Sequence, residues 1–428
     1  MNFAAQFFYS SYLSERLERL YSPQPALTDY VENDPFWQSE EQRLGPHRRR
    51  GSCRPVGAVA NGTPGRRPTL IEPERLKDFG EEELLGDISA AAFKIQSAIQ
   101  KTPCTYSRMS KQYGMEIYLK KEHLHYTGSV KERGVLYLLT SLTRDQQKKG
   151  VIVATDCNFS MAVAHHAAEL KIPAFAIMPS CCSAPRLRLY RDYGAVVISY
   201  GAAARDACSH ARHLAKENDY LYLEDGQFGL LAGTAAALKH LNSRILVIGV
   251  EPEGYPVLFQ SLKTGGPLKD MTSRPNSKLY GDLTGHSLGL HTFQLAKKHV
   301  DKVITVSEES ALLAMLRFQE FEHSMVDTEG AMGLAAILAG QLPELKGKKV
   351  AVVVSSANME LDLVRQCVDR ALVLDDRISK FTVELGSLPG EMAKSQVECV
   401  VETRDKTQSV QLRKTLCERY PSLRWLDR

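Results

Sequence analysis

The chain has 428 residues, 43% of them hydrophobic and 24% charged, with a formal net charge of +4. That length and apolar share supply two or three globular pieces with full cores, and a charge this near neutral gives no footprint for nucleic acid or another polyanion. No apolar run approaches the roughly 20 residues of a membrane-spanning helix. Nine cysteines in no framework spacing, with no secretory h-region, point to free thiols in a reducing, cytoplasmic compartment.

At the N-terminus, Phe7, Phe8, Tyr9, Tyr12 and Leu13 stand near Arg16 and Arg19 as in an amphipathic segment. Glu15 and Glu18 are unwelcome in a mitochondrial transit peptide. Residues 44–70 are rich in Arg, Gly and Pro and cannot bury apolar surface, so residues 1–80 read as a largely disordered extension. The catalytic core is expected over 81–374. Ile88, Ala91, Ile95 and Ile99 repeat at helical spacing, with Asp87 as the expected cap and Pro103 just beyond.

Glu116 to Lys120 reads as a strand, and Val135 to Leu139 as a helix. Short apolar runs then alternate with helical patterns. The predicted strands are 151–154, 174–178, 196–199, 220–223, 245–250, 302–306 and 350–355; helices are predicted over 160–170 and 202–217. Continuous apolar strands separated by helices predict an α/β fold with parallel sheets buried on both faces. Phe381 to Leu385 alternates like a half-buried strand, Gly386, Pro389 and Gly390 form a turn, and Glu391 to Ala393 reads as helical, opening a last unit over 375–428.

Between the strand at 116–120 and the helix at 135–139 lies Tyr126-Thr127-Gly128-Ser129-Val130-Lys131-Glu132-Arg133-Gly134. Lys131 falls in the first helical turn, where the helix dipole disfavours an ammonium. Partial burial would favour the neutral amine as well, the form that attacks an aldehyde. A solvated first-turn lysine is the plainer reading of the position alone.

The run Thr127 to Gly134, after Lys120-Lys121-Glu122, resembles the pyridoxal-phosphate (PLP) lysine motif of the threonine/serine dehydratases. The similarity extends from about Leu84 to about Leu372. It implies a fold-type-II PLP fold, like the tryptophan synthase β chain, with two parallel-sheet lobes and the cofactor between them. The last unit resembles the start of an ACT regulatory module, although it is short for a complete one; an αβ appendage without ligand binding is the equal alternative. Family members form dimers or tetramers, so a homo-oligomer is expected.

On this resemblance Lys131 is the catalytic, cofactor-bearing amine. Val350 to Val354 ends in Ser355-Ser356-Ala357-Asn358, which resembles the family's Ser-Gly-x-Asn, and Ser355 maps to the hydroxyl facing the pyridine nitrogen. Thr155-Asp156-Cys157-Asn158-Phe159 matches the family's carboxylate-binding loop. Asn158 maps to the residue on the ring hydroxyl, and Ser129 and Thr155 map to the substrate site. Asp156 departs from the pattern, placing a carboxylate where the substrate carboxylate should dock. It also replaces the serine that racemases use as their second base. Glu329 maps beside the cofactor pocket.

The family's glycine run for the phosphate is missing. The chain passes from Tyr220-Leu221-Tyr222-Leu223 straight to Glu224-Asp225-Gly226-Gln227-Phe228-Gly229, as after an internal deletion. Gly226 and Gly229 are left as a poorer nest, beside an Asp225 that would repel phosphate. Glu251 matches a family cation ligand, but its acidic companion is Val257 here, so no metal is expected. The implied activity is PLP-dependent ammonia-lyase chemistry on L-threonine or L-serine. A degenerate member with weak or no catalysis is the alternative, ahead of a serine racemase or a β-replacement enzyme.

Overall fold

The computed structural model describes residues 81–225, 229–268, 279, 288–385, 395–420 and 423–426. The expected extension 1–80, Gly226, the turn at Gly386 to Gly390 and the helical run Glu391 to Ala393 lie outside the described residues. Helix α1 (Glu81–Ile95) buries Ile88, Ala91 and Ile95, the periodic positions. It starts ahead of Asp87, which therefore lies within the helix and does not cap it. Then come β1 (Cys104–Tyr106), α2 (Ser110–Tyr113), β2 (Glu116–Lys121), α3 (Lys131–Ser141) and α4 (Arg144–Lys149).

The first lobe alternates strand and helix: β3 (Val151–Ala154), α5 (Asn158–Glu169), β4 (Ala174–Met178), α6 (Ala184–Asp192), β5 (Val196–Ser199), α7 (Ala204–Asn218) and β6 (Leu221–Tyr222). Its sheet runs β5-β4-β3-β6 with every pair parallel. Val151 and Val153 pack with Ala162, Val163 and Ala167 of α5. Ile152 and Ala154 pack with Ala207, Ala211 and Ala215 of α7. A strand sandwiched between helices has no wet face, which is why its sequence is an unbroken apolar run.

The second lobe is completed by α8 (Gly229–Leu241), β7 (Ile248–Pro252), α9 (Val257–Thr264), α10 (Leu290–His299), β8 (Lys302–Val306), α11 (Glu308–Glu322), α12 (Thr328–Leu338), β9 (Lys349–Val354) and α13 (Leu361–Leu374). β1 pairs antiparallel with β2, β2 parallel with β9, and β7 parallel with β8. Ile117 and Leu119 of β2, Val352 and Val354 of β9 and Val306 of β8 share one core with Ala331, Leu334 and Ala335 of α12. β7 starts later than its apolar run because the Ile245 amide is taken by the Asn242 carbonyl and the Val247 amide by Asp301.

The last unit is an antiparallel sheet, β11-β10-β12, built from β10 (Ile378–Leu385), β11 (Ser395–Glu402) and β12 (Arg424–Trp425), with α14 (Lys406–Arg419) before the last strand. At its junction with the core, Arg317 meets Glu320 at 2.7 Å and Asp375 at 2.6 Å, and Arg377 meets the same two carboxylates at 2.6 and 3.1 Å. No helix among the described residues is long and apolar enough to cross a membrane.

Candidate active site

Residues 127–130 lie against residues 355–358, at the C-terminal ends of β2 and β9. The Val130 amide donates to the Ser355 carbonyl at 2.9 Å, and the Ala357 amide to the Gly128 carbonyl at 3.0 Å. Ser129 and Ser356 form a β-bridge. Gly128 adopts φ +74°, and a Cβ there would run into the Asn358 side chain, so both the turn and the close approach require glycine.

Asn358 ties the segments together. Its Nδ2 donates to the Thr127 carbonyl at 2.6 Å and to Asn158 Oδ1 at 2.7 Å. Its own amide donates to Asp327 Oδ2 at 3.0 Å, and its carbonyl accepts from Arg186 at 2.9 Å. Asp327 caps α12 through the Gly330 amide and also accepts from Ser356 Oγ, both at 2.8 Å. Burial pushes the Asp327 carboxyl upward against these donors. Gly330 is required beside it, because a Cβ would strike the Ser356 carbonyl oxygen.

Lys131 begins α3, as expected, but its charge state differs from the expectation. Its Nζ donates to Asp225 Oδ1 at 2.8 Å, with only 21% of the lysine side chain and 8% of the aspartate exposed. Burial disfavours the ammonium, but the attraction and hydrogen bond of Asp225, reinforced by Glu329, outweigh it and raise the pKa. A paired carboxylate overrides both the helix dipole and desolvation.

The other predicted site residues are placed as follows. Asn158 is buried at the first turn of α5, and Ser355 is half-buried just past β9 with no described residue on its hydroxyl. Ser129 is fully buried and its Oγ accepts from the Lys131 amide at 3.3 Å. Thr155 sits at φ +72°, a left-handed conformation uncommon for a β-branched residue. Gly229 is the buried first residue of α8, and Glu329 lies in the first turn of α12 within electrostatic reach of Lys131.

Asp156 is not the bare charge its position implied. Arg186 Nε lies 3.2 Å from its Oδ2 and Tyr190 donates to its Oδ1 at 3.1 Å. Burial raises its pKa, with Arg186 and Tyr190 opposing. Glu251 accepts from the Leu258 and Phe259 amides, each at 2.8 Å, and so caps α9. Burial pushes its pKa up to about 7 despite these donors. No cluster of metal-ligating side chains occurs among the described residues.

Behind the lysine lies a buried ionic cluster. Glu122 accepts from Arg133 Nε at 2.7 Å and Nη2 at 3.0 Å, from His125 at 2.9 Å and from Thr102, with Lys120 Nζ at 3.2 Å. Burial alone would raise its carboxyl, yet His125 and Arg133 hold it far below the usual range. Glu132 receives the Thr127 amide and His166 at 3.3 Å, bracing the loop from beneath. Sequence reasoning missed Asn358, Arg186 and Asp327 as organisers. An Asp three residues ahead of a helical glycine was the available signal for Asp327.

A family model described as pyridoxal-phosphate dependent enzyme matches residues 95–227 and 224–356. The chain belongs to that family. The two matches meet at 224–227, where this PLP-family chain lacks the glycine run. It is 30% identical over 325 residues to an L-threonine ammonia-lyase of Thermotoga maritima, covering 68% of this chain and 80% of the relative. A serine racemase of Dictyostelium discoideum is 28% identical over 318 residues, covering 67% and 98%. The processed form of threonine deaminase isoform 2 from Solanum lycopersicum shares the fold, with a TM-score of 0.64 at 22% identity, covering 72% of this chain and 98% of that one.

Proposed function

We propose that this chain is a PLP-dependent ammonia-lyase that converts L-threonine or L-serine to a 2-oxo acid and ammonia. One observation carries the reading: the Lys131 loop is hydrogen-bonded along Ser355 to Asn358, and Asn358 in turn fixes Asn158. An amine, a hydroxyl with no described partner and an amide of locked orientation thus gather at one edge. Their donor set fits the aldehyde, the pyridine nitrogen and the ring hydroxyl of PLP.

PLP supplies an aldehyde for that amine and an electron sink for the substrate α-carbon. Lys131 Nζ, once neutral, would take the α-proton of the bound substrate. Ser355 would offer the ring nitrogen a neutral hydroxyl, and Asn158 would donate to the ring oxygen. Thr155, Ser129 and the first-turn amides of α5 would orient the substrate carboxylate, and Gly229 would bring the N-terminus of α8 to the phosphate against the opposing charge of Asp225. Glu329 lends negative potential beside the amine.

With PLP supplied in excess, the purified chain should show a near-visible absorption band that vanishes in Lys131→Ala, and should release 2-oxo acid from threonine or serine. If borohydride leaves no pyridoxyl group on Lys131, the reading is wrong. A second reading, a member that holds cofactor with little catalysis, is favoured by Asp156 at the substrate-carboxylate position. A bound chromophore without oxo-acid release would decide for it.

We also propose a cytoplasmic homo-oligomer whose partner is a small amino acid, with an extension over 1–80, a core over 81–374 and a partial ACT-like unit over 375–428. Support for that last unit is the sheet β11-β10-β12 with α14. Light scattering of the purified chain tests the assembly.

A further inference from the structure

We propose that Asp225 decides which aldehydes Lys131 accepts: its carboxylate serves the amine as a built-in counter-ion and disfavours a ligand that brings its own phosphate. The inference rests on the proposed role of Lys131 and adds a selectivity to it.

The placement of Asp225 follows from the shortened connection after β6. The Leu223 amide donates to the Ile152 carbonyl at 2.9 Å, which anchors Leu223, buried, against β3. Beyond that anchor the next two side chains part. Glu224 faces outward to Arg212 at 2.9 Å, both half exposed, and Asp225 faces inward to Lys131 at 2.8 Å. Glu329 adds a second negative charge within reach of the same amine. In a partly desolvated site these charges are weakly screened, so the anion that suits the ammonium opposes a second anion beside it. A pyridoxal lacking phosphate meets no such opposition.

The experiment compares PLP with pyridoxal at equal concentration on the full chain, followed by borohydride and mass spectrometry of the peptide containing Lys131. One ammonium proton passes to solvent, and the neutral nitrogen bonds the aldehyde carbon as the oxygen leaves as water with the two remaining protons. Borohydride then delivers hydride to carbon, and solvent protonates nitrogen. The parent chain should carry more label from pyridoxal than from PLP. Asp225→Asn, near-isosteric, should raise the PLP label at least tenfold and reverse the preference, while Glu224→Gln should behave like the parent.

Saturating PLP label in the parent, unchanged in Asp225→Asn, would overturn the inference and leave the ammonia-lyase reading standing. An equal gain in Glu224→Gln would overturn it too, by showing a general charge effect. No label from either aldehyde in any variant would overturn both readings together. The comparison of aldehydes on the parent chain needs no substitution, so it stands even if a variant folds poorly.

Discussion

The carboxamide of Asn358 donates to Asn158 Oδ1 at 2.7 Å while holding the Thr127 carbonyl at 2.6 Å. One side chain thereby sets the orientation of an amide on the first lobe and the path of the lysine loop on the second. Asn358→Ala should lower the unfolding free energy by about 1–3 kcal/mol, since it strands two buried partners. It should also weaken PLP retention on dialysis about tenfold. Asn358→Asp cannot donate and should behave alike; full retention in both variants would refute the assignment.

Arg133 grips the fully buried Glu122 through two nitrogens, alongside His125 and Lys120. Arg133→Ala should cost about 2–4 kcal/mol in urea unfolding, because it removes the two-pronged partner of a buried carboxylate and leaves Lys120 and His125 to balance it. A paired Glu122→Leu, Arg133→Met variant should not recover that loss, because it leaves the buried Lys120 ammonium without its carboxylate; adding Lys120→Met should. If Arg133→Ala costs less than about 1 kcal/mol, the cluster is solvated.

His123 is buried, with its ring on Ser324 Oγ at 2.8 Å. Burial, helped by Lys121, pushes its pKa down to about 4. A depressed folded value means that its stability contribution is complete above the ordinary 6.5 and is lost as pH falls toward 4. The loss should be about 2 kcal/mol, less than the full shift because solvent screens part of it. Thermal melts across that window should fall more steeply for the parent chain than for His123→Asn.

Glu251 spends its carboxylate on the first backbone amides of α9. Added magnesium or calcium should leave the melting temperature unchanged, and chelator should do the same. Glu251→Ala should cost about 1 kcal/mol as a lost cap. A melting temperature raised by either cation would return this carboxylate to the cation-binding role.

Asp156 stands at the mouth of the α5 N-terminus with Arg186 on its carboxylate. Asp156→Ser should lower the KM for threonine or serine about tenfold, because one charge opposing the substrate carboxylate is removed. The Arg186→Ala variant should raise it, since Asp156 is then unpaired. Initial-rate kinetics on both variants check the sign, and an unchanged KM in each would place Asp156 away from the substrate.

Much of the fold was legible because its signal is local. β3 and β4 coincide with their apolar runs, since buried parallel strands expose little to break the pattern, and the partly exposed β5 and β8 coincide with theirs as well. The lysine loop was legible from small residues between a strand and a helix. Asp225 was visible as a charge hostile to phosphate, but its pairing with Lys131 depends on β6 joining the β3 edge, a long-range contact that spacing cannot reveal. The same holds for Arg186 on Asp156 and for Asn358 on Asn158, whose partners lie far apart in the chain. Asp87 was misread because good helix formers before it extend α1 past the expected start.

The seam between core and last unit has a character of its own. Arg317, Glu320, Asp375 and Arg377 close a ring of alternating charge there, each part-exposed. A joint of that kind is cemented by ions rather than by oil, so brine softens it and dilute buffer stiffens it. The grip of the appendage on the enzyme is therefore adjustable by the medium, while the apolar interior of either part is left as it was.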